Sequence, residues 1–102
     1  MADNPQPTNT RSRKWCYTLN NYTPDDEASI QAWTGVRASI YGREVGENGT
    51  PHLQGAVCFE NKKSFNQVRA LLERAHWEKV RSRGSEAWDY CKKDGNVWEF
   101  GS

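Results

Sequence analysis

Four polar residues in this chain have the types and spacing needed for phosphodiester chemistry. His52 and Gln54 lie two apart in the segment 51–55, and side chains two apart on a strand point to the same face. An imidazole nitrogen beside amide and carboxylate oxygens suits Mn²⁺ or Mg²⁺ better than a structural zinc. Far downstream, Tyr90 and Lys93 lie three apart in a predicted helix, where they share a face. The two segments predict a metal site and a phenolic nucleophile.

Each of these residues also has a plainer interpretation. A His and a Gln on a strand are more often ordinary polar residues of a sheet face, and Tyr90 could pack its ring on a sheet while its hydroxyl reaches water. Trp88 fits the core or a stacking surface for a base, the core being the simpler assignment. His76 fits a structural role or a contact with a nucleic-acid backbone. The elements that position these side chains must decide between the interpretations.

The length and composition indicate one folded domain without a strong overall charge. The chain has 102 residues, a length that is enough for a single core but not for an accessory module. Its net charge is +1. A mean hydropathy of −0.99 is low, but five Trp, four Tyr and three Phe carry large buried areas. Local basic clusters therefore matter more than the total charge. They are Arg11, Arg13 and Lys14, and then Lys79, Arg81 and Arg83.

The cysteines and the hydropathy pattern restrict the compartment. Cys16, Cys58 and Cys91 are odd in number and widely spaced, with no Cys-x-x-Cys and no apolar signal segment. This pattern indicates a reducing environment. No window approaches the roughly 20 apolar residues of a membrane span, so no membrane partner is expected.

The same sequence predicts the elements that must position these residues. Residues 1–12 lack apolar periodicity and predict a disordered tail before a domain at 13–102. Alternating apolar residues predict strands at about 14–19, 38–45, 52–59, 77–80 and 97–100. Capping signals predict three helices, which begin after Thr23, Ser64 and Ser85, the last running from Glu86 to about Lys93.

The predicted order is β-α-β-β-α-β-α-β, which is typical of an α+β fold. We expect a central, mainly antiparallel five-stranded sheet with flanking helices. Gly46 to Gly49 form a dense turn signal between two strands. Those strands are most simply an antiparallel hairpin, which would place Glu44 opposite the His52 end.

Three segments in this order and spacing resemble the motifs of a known family. They are Cys16-Tyr17-Thr18-Leu19-Asn20-Asn21, Pro51-His52-Leu53-Gln54-Gly55 and Tyr90-Cys91-Lys92-Lys93. The chain, from about Lys14 to Phe100, resembles the replication-initiator (Rep) endonucleases of circovirus-like circular single-stranded DNA viruses, within the HUH endonuclease superfamily. In this virus group Gln replaces the second His of the superfamily motif, so Gln54 agrees with the resemblance.

The resemblance implies a ferredoxin/RRM-like HUH endonuclease fold and a specific site. His52, Gln54 and an upstream acid would hold Mn²⁺ or Mg²⁺. Glu44 matches that acid better by position, and Glu47 is its rival. Tyr90 would form a 5′-phosphotyrosine and leave a free 3′-hydroxyl, and the reverse reaction would join strands. Lys93 would stabilise the phenolate or contact the scissile phosphate.

The resemblance also implies the partners. Tyr17, Thr18 and Asn20 would recognise single-stranded DNA at a viral replication origin, displayed in a hairpin loop. The backbone of that strand would follow Arg11, Arg13, Lys14, Lys79, Arg81 and Arg83, because a basic track with aromatic side chains is typical of single-strand binding. We expect a C-terminal helicase domain in the full-length protein, a monomeric isolated domain, and a location in the host cell nucleus.

The main alternative is an RRM-like module that binds single-stranded nucleic acid without catalysis. Such a module shares the sheet, the helices and exposed aromatic residues. It would carry a Lys/Arg-Gly-Phe-type block on a central strand, and this sequence lacks one there.

Overall fold

The protein folds as one antiparallel sheet with helices on both faces. The computed structural model describes residues 10–81 and 84–101. Its strands lie in the order β4-β1-β3-β2-β5, and each neighbouring pair is antiparallel. The predicted element order and fold class are confirmed. The elements are β1 (Arg11–Asn20), α1 (Pro24–Gln31), β2 (Val36–Val45), β3 (Pro51–Ser64), α2 (Phe65–Leu71), β4 (His76–Lys79), α3 (Gly84–Cys91) and β5 (Val97–Gly101).

The two faces of the sheet bury different sets of side chains. Trp15, Tyr17 and Leu19 alternate along β1 and are all buried, as the period of two requires. They pack with α1 and α2 in the main core, and we call this side the α1/α2 face. On the opposite side, Cys91 of α3 packs on Ile40 and Ala56, and we call this side the α3 face.

Local side-chain bonds set the starts of the first two helices. The Thr23 hydroxyl accepts the N–H of Asp26, and the Asp26 carboxylate accepts the N–H of Thr23 at 2.9 Å. Ser64 and Gln67 form the same reciprocal pair before α2. Each capping box satisfies two N–H groups that a helix start leaves free. Both predicted helix starts are confirmed.

Three predicted boundaries are corrected. Arg11 and Ser12, assigned to the tail, pair with Ser64 and Lys63 as the first residues of β1. β3 therefore continues to Ser64 instead of ending at Phe59. Of the rest of the predicted tail, Thr10 belongs to no helix or strand, and residues 1–9 lie outside the described residues. α3 ends at Cys91, so Lys93 lies beyond the helix. No helix within the described ranges is long and apolar enough to cross a bilayer.

Candidate active site

The β2–β3 hairpin brings an acid and an imidazole together on the α3 face. Glu44 and His52 are register partners, and His52 Nε2 lies 3.0 Å from Glu44 Oε1. Glu44 is buried, at 5% exposure. The prediction that Glu44 lies opposite His52 is therefore confirmed. Glu47, the rival acid, is exposed in the turn between the strands.

Lys93 connects this pair to the candidate nucleophile. Its Nζ lies 2.5 Å from Glu44 Oε1 and 4.2 Å from the centroid of the Tyr90 ring. The Lys93 N–H donates to the Tyr90 carbonyl in the turn after α3, so the two side chains stay adjacent although only Tyr90 is helical. Burial opposes the charged ammonium, but the hydrogen bond and charge of Glu44 outweigh it and raise the pKa of Lys93. The ammonium is therefore the stable form beside the phenol.

Tyr90 is the tyrosine with an accessible ring next to these groups. Its exposure is 55%, and it lines a cleft on the α3 face. Tyr17 is fully enclosed, and burial raises the pKa of its phenol well above the ordinary value. Burial and the hydrogen bond to Glu27 raise the pKa of Tyr41 to about 12. Tyr22 packs against the main core. Among the four phenols, Tyr90 is the most exposed.

Gln54 faces the same cleft but bonds to the neighbouring strand. Its Oε1 accepts the Thr18 hydroxyl at 3.2 Å, and its Nε2 donates to the Tyr17 carbonyl at 3.4 Å. Gln54 pairs with Gly42 in the register that pairs Glu44 with His52. Gln54 therefore lies two residues from His52 along β3, on the same face of the sheet. The cleft has a volume of about 310 Å³ and is lined by Cys16, Tyr17, Thr18, Gln54, His76, Glu78, Glu86, Ala87 and Tyr90.

A close backbone contact fixes the end of α3 over β2. A Cβ atom added at Gly42 would lie 2.1 Å from the Cys91 carbonyl oxygen. Only glycine permits the two backbones to approach so closely. This contact lies between Tyr90 and Lys93 in sequence, and it therefore sets the height of both side chains above Glu44.

The donor atoms on this face fit a hard divalent cation. Glu44 Oε2 is buried and has no hydrogen-bond partner within the described part of the chain, and a buried carboxylate oxygen without a partner is costly. A carboxylate, an imidazole and an amide oxygen together suit Mn²⁺ or Mg²⁺. In the ranges that the structure covers, no three His, Cys, Asp or Glu residues cluster as metal ligands. A site here would therefore need the Gln54 amide or solvent in addition to Glu44 and His52.

The predicted DNA contacts of β1 divide between the two faces. Thr18 and Asn20 lie on the α3 face, where they pair with Gln54 and His52. Tyr17 lies on the opposite face at 1% exposure, packed between Trp33 and Trp77. The Tyr17 ring therefore belongs to the main core, although the residue also borders the cleft, and its contact with DNA stays a prediction.

The predicted basic track is not one continuous surface. Lys14 lies on the α3 face opposite Cys58, whereas Lys79 alternates onto the same face as Trp77, away from the cleft. Arg13 donates to the Glu60 carbonyl at 3.2 Å at the start of β1. Arg11 and Arg81 are exposed at element ends. Arg83 lies outside the described residues.

The cleft also contains charged residues that the sequence did not assign to the site. His76 Nε2 lies 2.7 Å from Glu78 Oε2 on the edge strand β4, and both residues line the cleft with Glu86. Glu86 precedes Tyr90 by four residues on α3, and this helical spacing is a signal that could have identified it. His76 and Glu78 reach the cleft because β4 pairs with β1, and no local sequence pattern predicts that pairing. These acids make phosphate less favourable on their side of the cleft than on the Lys93 side.

Comparison with known proteins identifies the family. A sequence model with the description "Putative viral replication protein" matches residues 12–94. The chain belongs to this family of viral replication proteins. Its Rep domain is of the circovirus type, in agreement with the resemblance in the three motif segments.

The relatives confirm the assignment over most of the chain. The replication-associated protein of Pigeon circovirus is 44% identical over 93 residues, which are 89% of this chain and 29% of that protein. That of Canary circovirus is 43% identical over 88 residues, 84% of this chain and 30% of the relative. The master replication protein of Subterranean clover stunt virus (strain F) is 40% identical over 91 residues, which are 85% of this chain and 30% of that protein. The chain thus spans about three tenths of the length of these relatives.

Proposed function

We propose that this Rep domain is a metal-dependent single-stranded DNA endonuclease and strand-joining enzyme that initiates rolling-circle replication of a viral genome. The observation that carries the proposal is the position of Lys93, whose Nζ contacts both the Glu44 carboxylate and the Tyr90 ring. An accessible phenol with a cation beside it supports nucleophilic attack by a tyrosine, and the buried acid–imidazole pair supplies donor atoms for a divalent ion.

In the proposed reaction, the Tyr90 oxygen attacks the scissile phosphorus. The new O–P bond gives a 5′-phosphotyrosine, the bond from phosphorus to the 3′ oxygen breaks, and that oxygen takes up a proton while the phenol loses one. Lys93 stabilises the phenolate through its charge. The reverse attack by a 3′-hydroxyl restores the phosphodiester, because the phosphotyrosine keeps its energy, and joining needs no ATP.

Glu44, His52 and Gln54 would hold Mn²⁺ or Mg²⁺ in this proposal. The bound ion would supply Lewis-acid stabilisation of the phosphate oxygens. The protein would supply the buried carboxylate, the imidazole held at 3.0 Å from it and the amide on the adjacent register step. Because Glu44 Oε2 has no protein partner in the described residues, this oxygen is the donor that remains free for an ion.

The proposed partner is single-stranded DNA of the viral origin, presented in a hairpin loop. Thr18, Asn20 and Lys14 on the α3 face would contact it beside the cleft. We also propose that a helicase domain follows in the longer protein, and that the protein acts in the host cell nucleus as a domain that is monomeric on its own.

The first test is covalent attachment to DNA. The protein is incubated with an end-labelled single-stranded origin oligonucleotide and Mn²⁺, with and without chelator, and the adduct is located by peptide mass spectrometry. We expect a metal-dependent adduct on Tyr90. Tyr90→Phe should lose the adduct and bind the oligonucleotide within about twofold of the parent, because only the nucleophilic oxygen is removed.

Two outcomes would contradict this proposal in different ways. An adduct that persists in Tyr90→Phe would place the nucleophile elsewhere. Binding without any adduct, across several candidate origins, would support the RRM-like alternative.

The metal site has a separate test that does not need DNA. Saturating Mn²⁺ should raise the melting temperature, because an ion that binds only the folded state adds about 2.7 kcal/mol to the free energy of unfolding at 100 times its Kd. His52→Ala and Glu44→Gln should each remove most of this shift, and Glu47→Gln should keep it. A full shift in Glu44→Gln would refute the assignment of Glu44 as a ligand.

A further inference from the structure

A second cavity lies on the α3 face beside the cleft. Its volume is about 350 Å³, at the lower end of the roughly 300–1,000 Å³ of ligand pockets. Its floor includes the small residues Ala38, Ala56 and Cys58 of β2 and β3, and α3 forms one wall through Trp88. Because small side chains face the helix here, the sheet and α3 do not close on each other. The cavity is therefore lined mainly by apolar atoms.

The Trp88 ring is held in one orientation at this wall. It is half-buried, packs against the smaller core of the α3 face, and its Nε1 donates to Glu99 Oε2 at 3.0 Å. A flat aromatic surface that is already fixed costs little conformational entropy when a planar group stacks on it. The sequence left Trp88 open between core and stacking surface, and its position gives it both an inner and an accessible side.

The rim of the cavity is basic on the side of β1 and β2. Lys14 and Arg37 both line it and both are exposed. Neither forms a salt bridge with any residue in the described ranges. Asp89 is the one acidic residue among the lining groups. An apolar slot with two cations at its mouth matches a nucleobase, whose ring is flat and whose flanking phosphates are negative.

The cavity and the cleft lie one after the other along the paired strands β1 and β3. The register pairs Thr18 with Gln54 in the cleft, Cys16 with Ala56 at the boundary, and Lys14 with Cys58 in the cavity. Ala87 of α3 lines both spaces. Cys58 lies four residues after Gln54 along β3, which corresponds to about 14 Å. A single strand lying along β1 and β3 would reach the cavity within a few nucleotides of Tyr90.

We propose that this cavity binds one unpaired base of the DNA strand that is cut at Tyr90. The base stacks on Trp88, and the phosphates on either side contact Lys14 and Arg37. This inference rests on the proposed function and adds a position at which the domain holds an unpaired base, at a fixed distance from the cut. Arg37 becomes a DNA-binding residue that the sequence did not predict.

The test is a scan with abasic sites. A labelled single-stranded origin oligonucleotide receives one abasic site at each position in turn, and affinity is measured by anisotropy without metal, so that no cleavage occurs. We expect one position at which base loss weakens binding by about 5-fold or more, the range that base–aromatic stacking supplies. In Trp88→Ala the same position should show no loss, because the two changes remove one interaction. Phe100→Ala is the matched control, since Phe100 is exposed on β5 and lines neither space.

Cysteine alkylation gives a second readout that does not depend on a tryptophan variant. Cys58 lines the cavity and Cys16 lines the cleft, and both are half-buried free thiols. The intact oligonucleotide should slow alkylation of both thiols. The oligonucleotide that is abasic at the mapped position should protect Cys16 and leave Cys58 reactive. Arg37→Ala should reduce the slope of log affinity against log salt by about 0.7, the value for one phosphate contact on a single strand.

The possible results separate this inference from the nickase proposal. If Tyr90 forms an adduct but no abasic position depends on Trp88 and Cys58 stays reactive in every complex, the base pocket is refuted and the nickase stands. If a position depends on Trp88 and no adduct forms, the cavity is a base-binding site in a protein that does not cut. If Trp88→Ala does not fold, the remaining two measurements test the base pocket. They are the protection of Cys58 from alkylation by the intact oligonucleotide and the reduced salt dependence of binding in Arg37→Ala.

Discussion

At the scale of single residues, two adjacent lysines after α3 have different surroundings. Lys93 Nζ contacts Glu44, whose side chain is 3% exposed, and lies over the Tyr90 ring. Lys92 Nζ reaches Glu99 at 3.9 Å, where both side chains are more than a third exposed. An exposed pair of this kind contributes little to stability. A cation beside a buried carboxylate compensates a charge that water cannot reach.

We therefore expect Lys93→Met and Lys92→Met to differ in stability and in activity. Lys93→Met should lower the free energy of unfolding by about 1–3 kcal/mol, because it leaves Glu44 with a single partner. It should also slow adduct formation by roughly 100-fold, as loss of a stabilising charge at a reacting group does. Lys92→Met should change stability by less than about 0.5 kcal/mol. Urea unfolding and single-turnover adduct assays measure both, and equal losses in the two variants would remove Lys93 from the site.

The sequence predicted the central residues of the site because their relations are local. Glu44 and His52 flank one short turn, so the strand period was sufficient to bring that pair together. Tyr90 and Lys93 lie three apart and were expected to be adjacent on a helix, whereas the turn after α3 keeps them adjacent. The burial of the Tyr17 ring was not predicted, because alternation groups Tyr17 with Trp15 and Leu19 without saying which face the helices cover. Arg37, Glu78 and Glu86 enter the α3 face through the packing of α3 and the β1–β4 pairing, and these depend on residues distant in sequence.

At the scale of elements, the position of α3 depends on glycine in β2. Gly42 lies beneath the Cys91 carbonyl, on the same face of β2 as Glu44. Gly55 makes an equally close approach on the other face, where an added Cβ atom would lie 2.1 Å from Cζ of Tyr17. The two glycines are thus a matched pair, one beneath the site and one in the main core.

Gly42→Ala and Gly55→Ala should separate positioning from stability. Each should lower the free energy of unfolding by about 1–3 kcal/mol, the usual cost of overpacking. Gly42→Ala should in addition reduce adduct formation per folded molecule by at least about 10-fold, because it displaces Tyr90 and Lys93 from Glu44. Gly55→Ala should retain the parental rate per folded molecule. Adduct rates normalised to the folded fraction from circular dichroism measure the difference, and equal rates in both variants would show that α3 placement is not limiting.

Element boundaries were predicted well where local chemistry defines them. Thr23 and Ser64 begin α1 and α2 through capping boxes that are complete in the sequence. The end of β3 was missed because residues 60–63 are Glu, Asn, Lys and Lys, which carry no apolar period. At this end of β3, Lys63 and Ser64 pair with Ser12 and Arg11 beyond an irregularity in the register. A strand that depends on a distant partner gives no signal of its own.

At the scale of the whole molecule, carboxylates of α1 tie the helix to the sheet and to distant turns. Glu27 Oε1 accepts the Tyr41 hydroxyl at 2.6 Å and Arg43 Nη2 at 2.7 Å, and Arg43 continues to Asn96 before β5. Asp26 accepts from Arg74, which lies beyond α2. Burial alone would raise the pKa values of both acids. The N–H of Thr23 and then Arg74 outweigh burial and lower the pKa of Asp26, and the hydrogen bonds from Tyr41 and Arg43 with the Arg43 charge lower that of Glu27.

The lowered pKa values predict a loss of stability in acid. A carboxylate whose pKa is lower in the folded than in the unfolded state stabilises the fold above its unfolded value, about 4.3 for Glu. That stabilisation is lost as the pH falls through the folded value, because the unfolded chain takes up the proton first. Glu27→Gln keeps the shape and removes the charge. We expect it to lower the free energy of unfolding at pH 7 by about 1–3 kcal/mol, and we expect its difference from the parent to shrink as the pH falls below about 4.3.

Urea unfolding from pH 3 to 7 tests this expectation without metal or DNA. Glu47→Gln is the control, because Glu47 is exposed in the β2–β3 turn and should show the parental profile throughout. A gap between parent and Glu27→Gln that stays constant from pH 7 to pH 3 would mean that the hydrogen-bond geometry, and not the charge, holds α1 in place. A gap that narrows below about pH 4.3 isolates the contribution of Glu27 to the acid sensitivity of the fold, since the remaining acids are the same in both proteins.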